Sequence, residues 1–290
     1  MSTRASGESA AWPALAKLRI GCVQYLNAKP LIHGYDGPVV FDHTSALARD
    51  LSRGELDVAL VPIFEALRDP RYLIADGVAI ASDGPVYSVF LAHRGPLAEV
   101  RTIALDPASL TSVHLLQVLL AEYHGLRPQC VDTSAMGGRG SRRADAEIIA
   151  AEARQEPRPP IADAELLIGN QAIDFRHEHT GTHQFLDLGA EWKRCTGLPF
   201  VYAPWLIRED LPKARAAADE LRALGRAGVA CIDKIVGTET FHDADFRRRY
   251  LTQHIRFALG EREKAGIAKF RELLEKHGFI APDARALVYV

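Results

Sequence analysis

The sequence predicts an α/β protein of two lobes, with a ligand cleft between them and a helical C-terminal tail. Three observations carry this expectation. A chain of 290 residues can bury two cores of ordinary size. A pattern of short apolar strand, polar turn and helix runs from Leu18 and starts again at Thr102. The apolar run Phe200 to Ile207 then returns the chain to the first lobe before the sequence turns helical. The expected lobes are 15–93 plus 203–290, and 94–202.

In order, Leu18 to Val23 reads as a buried strand that stops at Pro30, and Val39 to Phe41 as a second strand. Thr44 and Ser45 are N-cap residue types for a helix through Arg53, with Gly54 to end it. Asp57 to Val61 is a strand closed by Pro62, and Val78 to Ala81 and Val86 to His93 are strands separated by the turn Asp83-Gly84-Pro85. The second lobe opens with the strand TIALD from Thr102, the turn PASLTS and a helix carrying Val113, Leu116, Val118, Leu119 and Leu120 as a wide apolar stripe. Segment 137–160, with Gly-Gly-Arg-Gly at one end and Pro-Arg-Pro-Pro at the other, reads as an insertion or flap. Glu165 to Gly169 and Phe185 to Leu188 are strands, and Lys213 to Val236, Ala244 to Leu259 and Arg262 to Lys276 show helical spacing.

Composition narrows the function classes. With 48% hydrophobic and 25% charged residues the chain is that of a soluble globular protein. A formal charge of −2 gives no general attraction to nucleic acid or anionic lipid. No stretch approaches the roughly 18 apolar residues of a membrane span, and residues 1–17 lack the apolar core of a secretory signal, so a cytoplasmic protein is expected. Cys22, Cys130, Cys195 and Cys231 are far apart and without CxxC spacing, and are read as reduced. The cluster RHEHTGTH (176–183) lacks HExxH spacing and its Gly and Thr content argues for a loop, so no metal is expected. The glycines at 137–140 lack the Lys-Ser/Thr of a phosphate-binding loop, and no Gly-x-Ser-x-Gly elbow appears.

The candidate site follows from the rule that open α/β sheets bind ligands beyond the carboxyl ends of their strands. The turn after the first strand is such an end, and it holds an uncharged amide, Asn27. Asn side chains also cap turns by bonding nearby backbone, and position alone leaves both readings open. Ser109, Thr111 and Ser112 are cap types for the helix beginning near 111, and free N–H groups with hydroxyls at a helix start also hold carboxylates.

Six segments in order, YLNAKPL (25–31), GELDVALVP (54–62), SVFLAH (88–93), ALDPASLTS (104–112), LLIGNQAI (166–173) and DLGAEWKRCTGLPFVYAPW (187–205), resemble the chorismate dehydratase family of menaquinone biosynthesis. The resemblance spans about residues 18–208. It implies the periplasmic-binding-protein type II fold and conversion of chorismate to 3-[(1-carboxyvinyl)oxy]benzoate and water, with no cofactor, as a step of the futalosine route. It further implies that Asn27 is the catalytic-site asparagine, and that Ser88, Ser109, Thr111, Ser112 and Asn170 bind substrate. The implied partner is chorismate, with no nucleic acid and no membrane.

Gly169-Asn170 stands where the family has Gly-Asp, Gln24 where it often has Ser, and the segment after Gly137 is unusually long and basic. These departures keep open a cytosolic binding protein that holds a small carboxylate without turnover. The related dihydroxynaphthoate-forming lyase shares the fold, but Tyr25-Leu26-Asn27 does not match its opening motif.

Overall fold

The computed structural model describes residues 12–69, 71–105, 110–132, 162–282 and 285–290. The segment expected as an insertion at 137–160, and Ser109, lie outside the described residues.

Two sheets form the two lobes. The chain opens with β1 (Ile20–Cys22), a 3-10 turn at Leu26–Ala28, α1 (Lys29–Ile32), β2 (Val39–Phe41), α2 (Thr44–Ser52), β3 (Val58–Leu60), α3 (Ile63–Arg68) and β4 (Tyr72–Ser82). The second lobe contains β5 (Val89–His93), β6 (Thr102–Leu105), α4 (Leu110–Tyr123), β7 (Gln129–Asp132), β8 (Ala164–Ile168), α5 (Gly169–His179), β9 (Gln184–Asp187) and α6 (Leu188–Thr196). The chain then returns through β10 (Phe200–Arg208) to α7 (Ala214–Ala230), α8 (Ile232–Thr238), α9 (Ala244–Arg249), a π-helical turn at Tyr250–His254, α10 (Glu261–Lys276) and β11 (Val288–Tyr289). The first sheet has the order β11-β4-β10-β3-β1-β2 and the second β7-β6-β8-β5-β9. In each sheet a parallel set is joined by one long-range antiparallel strand. β10 lies antiparallel between β3 and β4, and β5 lies antiparallel between β8 and β9.

Strands covered on both faces read as continuous apolar runs, which is why β1, β3 and β5 are buried at every position. β10 adds fully buried Trp205, Leu206 and Ile207, each of which contributes roughly 1.5–3 kcal/mol of burial free energy. The edge strand β2 leaves Val40 and Phe41 about half exposed. The tail covers the first sheet and also braces the second lobe. α7 packs on β4 and α1, while α10 reaches α4, where Glu122 receives Lys276 at 2.6 Å and His277 at 2.9 Å.

Several boundaries differ from the sequence reading. Val89–His93, expected in lobe one, pairs with β8 and β9 in the second sheet, and the whole of Phe200–Arg208 pairs in the first. We therefore place the crossings within 83–88 and 197–199 rather than at 93/94 and 202/203. Residues 213–236 are two helices broken at Cys231. Residues 244–259 are a helix only as far as His254. Beyond it, Arg256 N–H donates to Ala81 O at 2.8 Å and Ala81 N–H to Arg256 O at 2.9 Å, because the outer edge of β4 needs partners there. The expected loop at 176–183 begins instead as the last turn of α5, which runs through His179.

Candidate active site

Tyr25 is extended, and the chain then turns at once through 26–28 into α1, whose Pro30 sits in the first turn, where its missing N–H costs nothing. This corner turns Asn27 inward, to 9% exposure. A cavity of about 70 Å³ lies beyond it, between the lobes. Val23, Tyr25 and Asn27 line it after β1, Leu60 and Pro62 at the end of β3, and Ile168 and Gly169 at the end of β8. Thr44 opens α2, Thr111 and Ser112 open α4, and Ser88 and Val89 start β5. Tyr202 and Ala203 of β10 complete the wall, with Val86 and Ile80. The structure thus brings together Asn27, Ser88, Thr111 and Ser112.

Asn170 is not among the lining residues. Its carboxamide oxygen accepts from Leu26 N–H at 3.1 Å, which ties α5 of the second lobe to the corner that carries Asn27. Gly169 beside it has φ +66°, a conformation that suits glycine, and its Cα faces the ring of Tyr25. Thr111 Oγ1 accepts from Phe64 N–H at 3.1 Å, serving the N-terminal turn of α3 across the cleft. Three of these contacts therefore join the lobes directly beside the cavity.

Behind the wall, Ser88 is fully buried and its Oγ accepts the hydrogen of Tyr250 O–H at 2.7 Å. Burial pushes the Tyr250 phenol well above its usual range, and the neighbouring Ser88 and Asn27 side chains oppose that shift. Tyr202 is raised in the same way by burial, and its hydroxyl lies 3.2 Å from Ser82 Oγ. Both phenols are neutral at physiological pH. Asn27 Oδ1 is buried with no hydrogen-bond partner among the described residues. No charged side chain lines the cavity among the described residues.

The approach to Ser88 is held in an uncommon geometry. Tyr87 has φ +70°, an outlier for a bulky residue. Its N–H donates to Asp187 Oδ2 at 2.8 Å, and Val86 N–H donates to Oδ1 at 3.1 Å. Asp187 also caps α6 by accepting from Ala190 N–H at 3.0 Å. Arg176 lies over the Tyr87 ring at 4.4 Å and donates to its carbonyl at 3.3 Å. One carboxylate and one guanidinium therefore fix the turn that presents Ser88.

The histidines of 176–183 are engaged elsewhere. His177 meets Tyr87 OH at 3.2 Å, His179 the Phe175 carbonyl at 2.9 Å, and His183 accepts from Arg94 at 3.1 Å. Among the described residues no group of three or more His, Cys, Asp or Glu is arranged to hold a metal ion. All four cysteines are free, and burial pushes the Cys22 thiol up to about 12. No described helix is long and apolar enough to cross a membrane.

Tyr250, Tyr202 and Asp187 were not singled out from the sequence. Tyr202 and Asp187 fall inside the long motif 187–205, but RRRYLTQH around Tyr250 reads only as an ordinary helix and carries no signal of its role.

Comparison with known proteins agrees with this architecture. A family model described as menaquinone biosynthesis matches residues 18–276. A chorismate dehydratase from Thermus thermophilus is 30% identical over 283 residues, covering 88% of this chain and 94% of that protein. Among solved structures, an Archaeoglobus fulgidus protein superposes with a TM-score of 0.63 at 17% identity, covering 91% of this chain and 98% of that one. A conserved Candida albicans protein, described as having the generic periplasmic binding protein fold, gives 0.59 at 12% identity, with 92% of each chain covered. At these identities the structures speak for the fold alone, which is the two-lobed α/β fold of periplasmic binding proteins. The family model and the Thermus relative go further: the chain belongs to the menaquinone biosynthesis family, as a relative of chorismate dehydratase.

Proposed function

We propose that this protein is a chorismate dehydratase, a hydro-lyase that converts chorismate to 3-[(1-carboxyvinyl)oxy]benzoate and water in menaquinone biosynthesis by the futalosine pathway. The observation that carries the reading is its near full-length relationship to the Thermus enzyme of that name. The cleft supports it chemically.

The reaction removes a proton from the ring carbon bearing the ether and hydroxide from its neighbour, and the ring becomes aromatic. With that driving force, the protein mainly has to hold the substrate and assist departure of the hydroxyl. A wall of neutral groups suits this task. In this reading the start of α4, with the Thr111 and Ser112 hydroxyls, holds a substrate carboxylate. Asn27 and Ser88 meet the ring hydroxyl. A carboxylate of the substrate takes the proton. No cation among the described lining residues lowers the basicity of that carboxylate. Asn170 serves the site indirectly, through Leu26. The cytoplasm is the proposed setting, as for a biosynthetic step on a soluble metabolite.

The test is incubation of the purified protein with chorismate, without metal or nucleotide, followed by chromatography and mass measurement. A product lighter by one water, formed faster than in a boiled control, is expected. Asn27→Ala should lower kcat/KM by roughly 100-fold, the scale of lost transition-state contacts. Chorismate-dependent thermal stabilisation without any product would replace the enzyme by a binding protein.

A further inference from the structure

Two polar groups of the cleft wall, Ser88 and Asn27, lie beside a third residue outside the lining, Tyr250. Tyr250 O–H donates to Ser88 Oγ at 2.7 Å. The Asn27 side chain lies beside the same phenol. Asn27 Oδ1 is buried and has no hydrogen-bond partner among the described residues. The phenol O–H is thus committed to Ser88 Oγ, and toward Asn27 the phenol oxygen can only accept.

That direction has a consequence for the ligand. The Ser88 oxygen is occupied as an acceptor, so its own O–H is available as a donor, and Ser88 lines the cavity. Asn27 places its carbonyl oxygen as a bare, buried acceptor on the same wall. An acceptor beside a donor is the complement of an alcohol, which gives one hydrogen bond and takes another. An orphan acceptor at this burial costs free energy until it is matched.

Local structure shows how Tyr250 reaches this point. α9 widens into a π-helical turn at Tyr250–His254, closed by Ile255 N–H to Tyr250 O at 3.1 Å. Such turns shift the register of the side chains that follow and recur at functional sites. Tyr250 is 1% exposed and stacks on Phe246 with ring centroids 5.9 Å apart.

We propose that Tyr250 is a positioning residue that orients Asn27 and Ser88 as an acceptor–donor pair reading a hydroxyl group on the ligand. Under the chorismate dehydratase reading, on which the choice of alcohol rests, that group is the ring hydroxyl that departs. The pair then discriminates between substrate and product, because the product lacks this hydroxyl.

The experiment compares the parental protein with Tyr250→Phe, which keeps the ring and removes only the oxygen. Expected in Tyr250→Phe are a kcat/KM for chorismate lower by at least about tenfold, the size of one lost buried hydrogen bond, and product affinity within about twofold of parental by calorimetry. A general loosening of the fold would weaken product and chorismate together. Tyr250→Phe with parental turnover, or with product affinity falling in step with turnover, overturns the proposal. Failure of the parental protein to turn over chorismate sinks the dehydratase reading instead. The two dissociation constants, for chorismate and product, then still test Tyr250: the parental preference for chorismate should vanish in Tyr250→Phe. Its persistence would overturn the proposal.

Discussion

Gly169 of the second lobe faces the ring of Tyr25 of the first so closely that a Cβ at Gly169 would stand 2.9 Å from Tyr25 Cε1 and Cζ. Gly34 has a similar left-handed φ, +83°, but nothing within 4 Å of its Cβ position. Gly34→Ala should therefore cost about 1–2 kcal/mol for backbone strain alone. Gly169→Ala should cost about 3 kcal/mol, since overlap with Tyr25 adds to the strain. Chemical denaturation of both variants measures the difference, and equal losses would mean that the Tyr25 contact carries no weight.

The link from Leu26 N–H to Asn170 predicts a chemical distinction. Asn170→Ala leaves a backbone donor without its acceptor and should cost about 1–2 kcal/mol of stability together with reduced turnover. Asn170→Asp keeps an acceptor and should remain near parental. Thermal unfolding and steady-state kinetics on the two variants test this. An Asp variant as damaged as the Ala variant would show that the amide nitrogen is the working end.

Substrate capture by neutral groups predicts weak salt dependence. Screening acts on charge pairs, and no charged side chain lines the cavity among the described residues. KM for chorismate should change by less than about twofold between 50 and 500 mM sodium chloride, where a lysine or arginine clamp would give a clear rise. A steep increase would place a cation at the site.

Stability should fall as pH drops below neutrality. Burial lowers the imidazole of His114, against a hydrogen bond to the Leu110 carbonyl, and burial lowers His177 and His183 as well. Their folded values lie below the unfolded value of about 6.5, so beneath that pH the unfolded chain binds more protons and stability declines with falling pH. Carboxylates such as Asp57 and Glu191 are shifted down by Arg19 and Arg194, and their contribution is lost only at more acidic pH. Thermal unfolding between pH 7.5 and 5.0 should show the decline. His114→Phe, which keeps a ring stacked on Phe64, should flatten it; an unchanged slope would clear His114.

The sequence by itself determined the local pieces. Continuous apolar runs marked β1, β3, β8 and β10 within a residue or two, and Val39–Phe41 was placed as it stands. Pro30 after a short polar corner marks Asn27 as a candidate, with cap and ligand readings both open, and hydroxyls at a helix start point to Thr111 and Ser112. Motifs in order gave the family. These signals are legible because periodicity, caps and turn residues act over a few positions.

Only the tertiary structure decided which sheet takes Val89–His93, since an apolar run pairs equally well with either until its neighbours are in place. It also turned the helical-looking stretch after His254 into an extended partner for Ala79 and Ala81, whose free edge outweighed helix propensity. Asn170 left the cleft wall to hold Leu26, and Tyr250 joined Ser88 from 162 positions away. Hydrogen-bond direction across such distances depends on which groups burial leaves without water, and that is settled only when the lobes and the tail pack together.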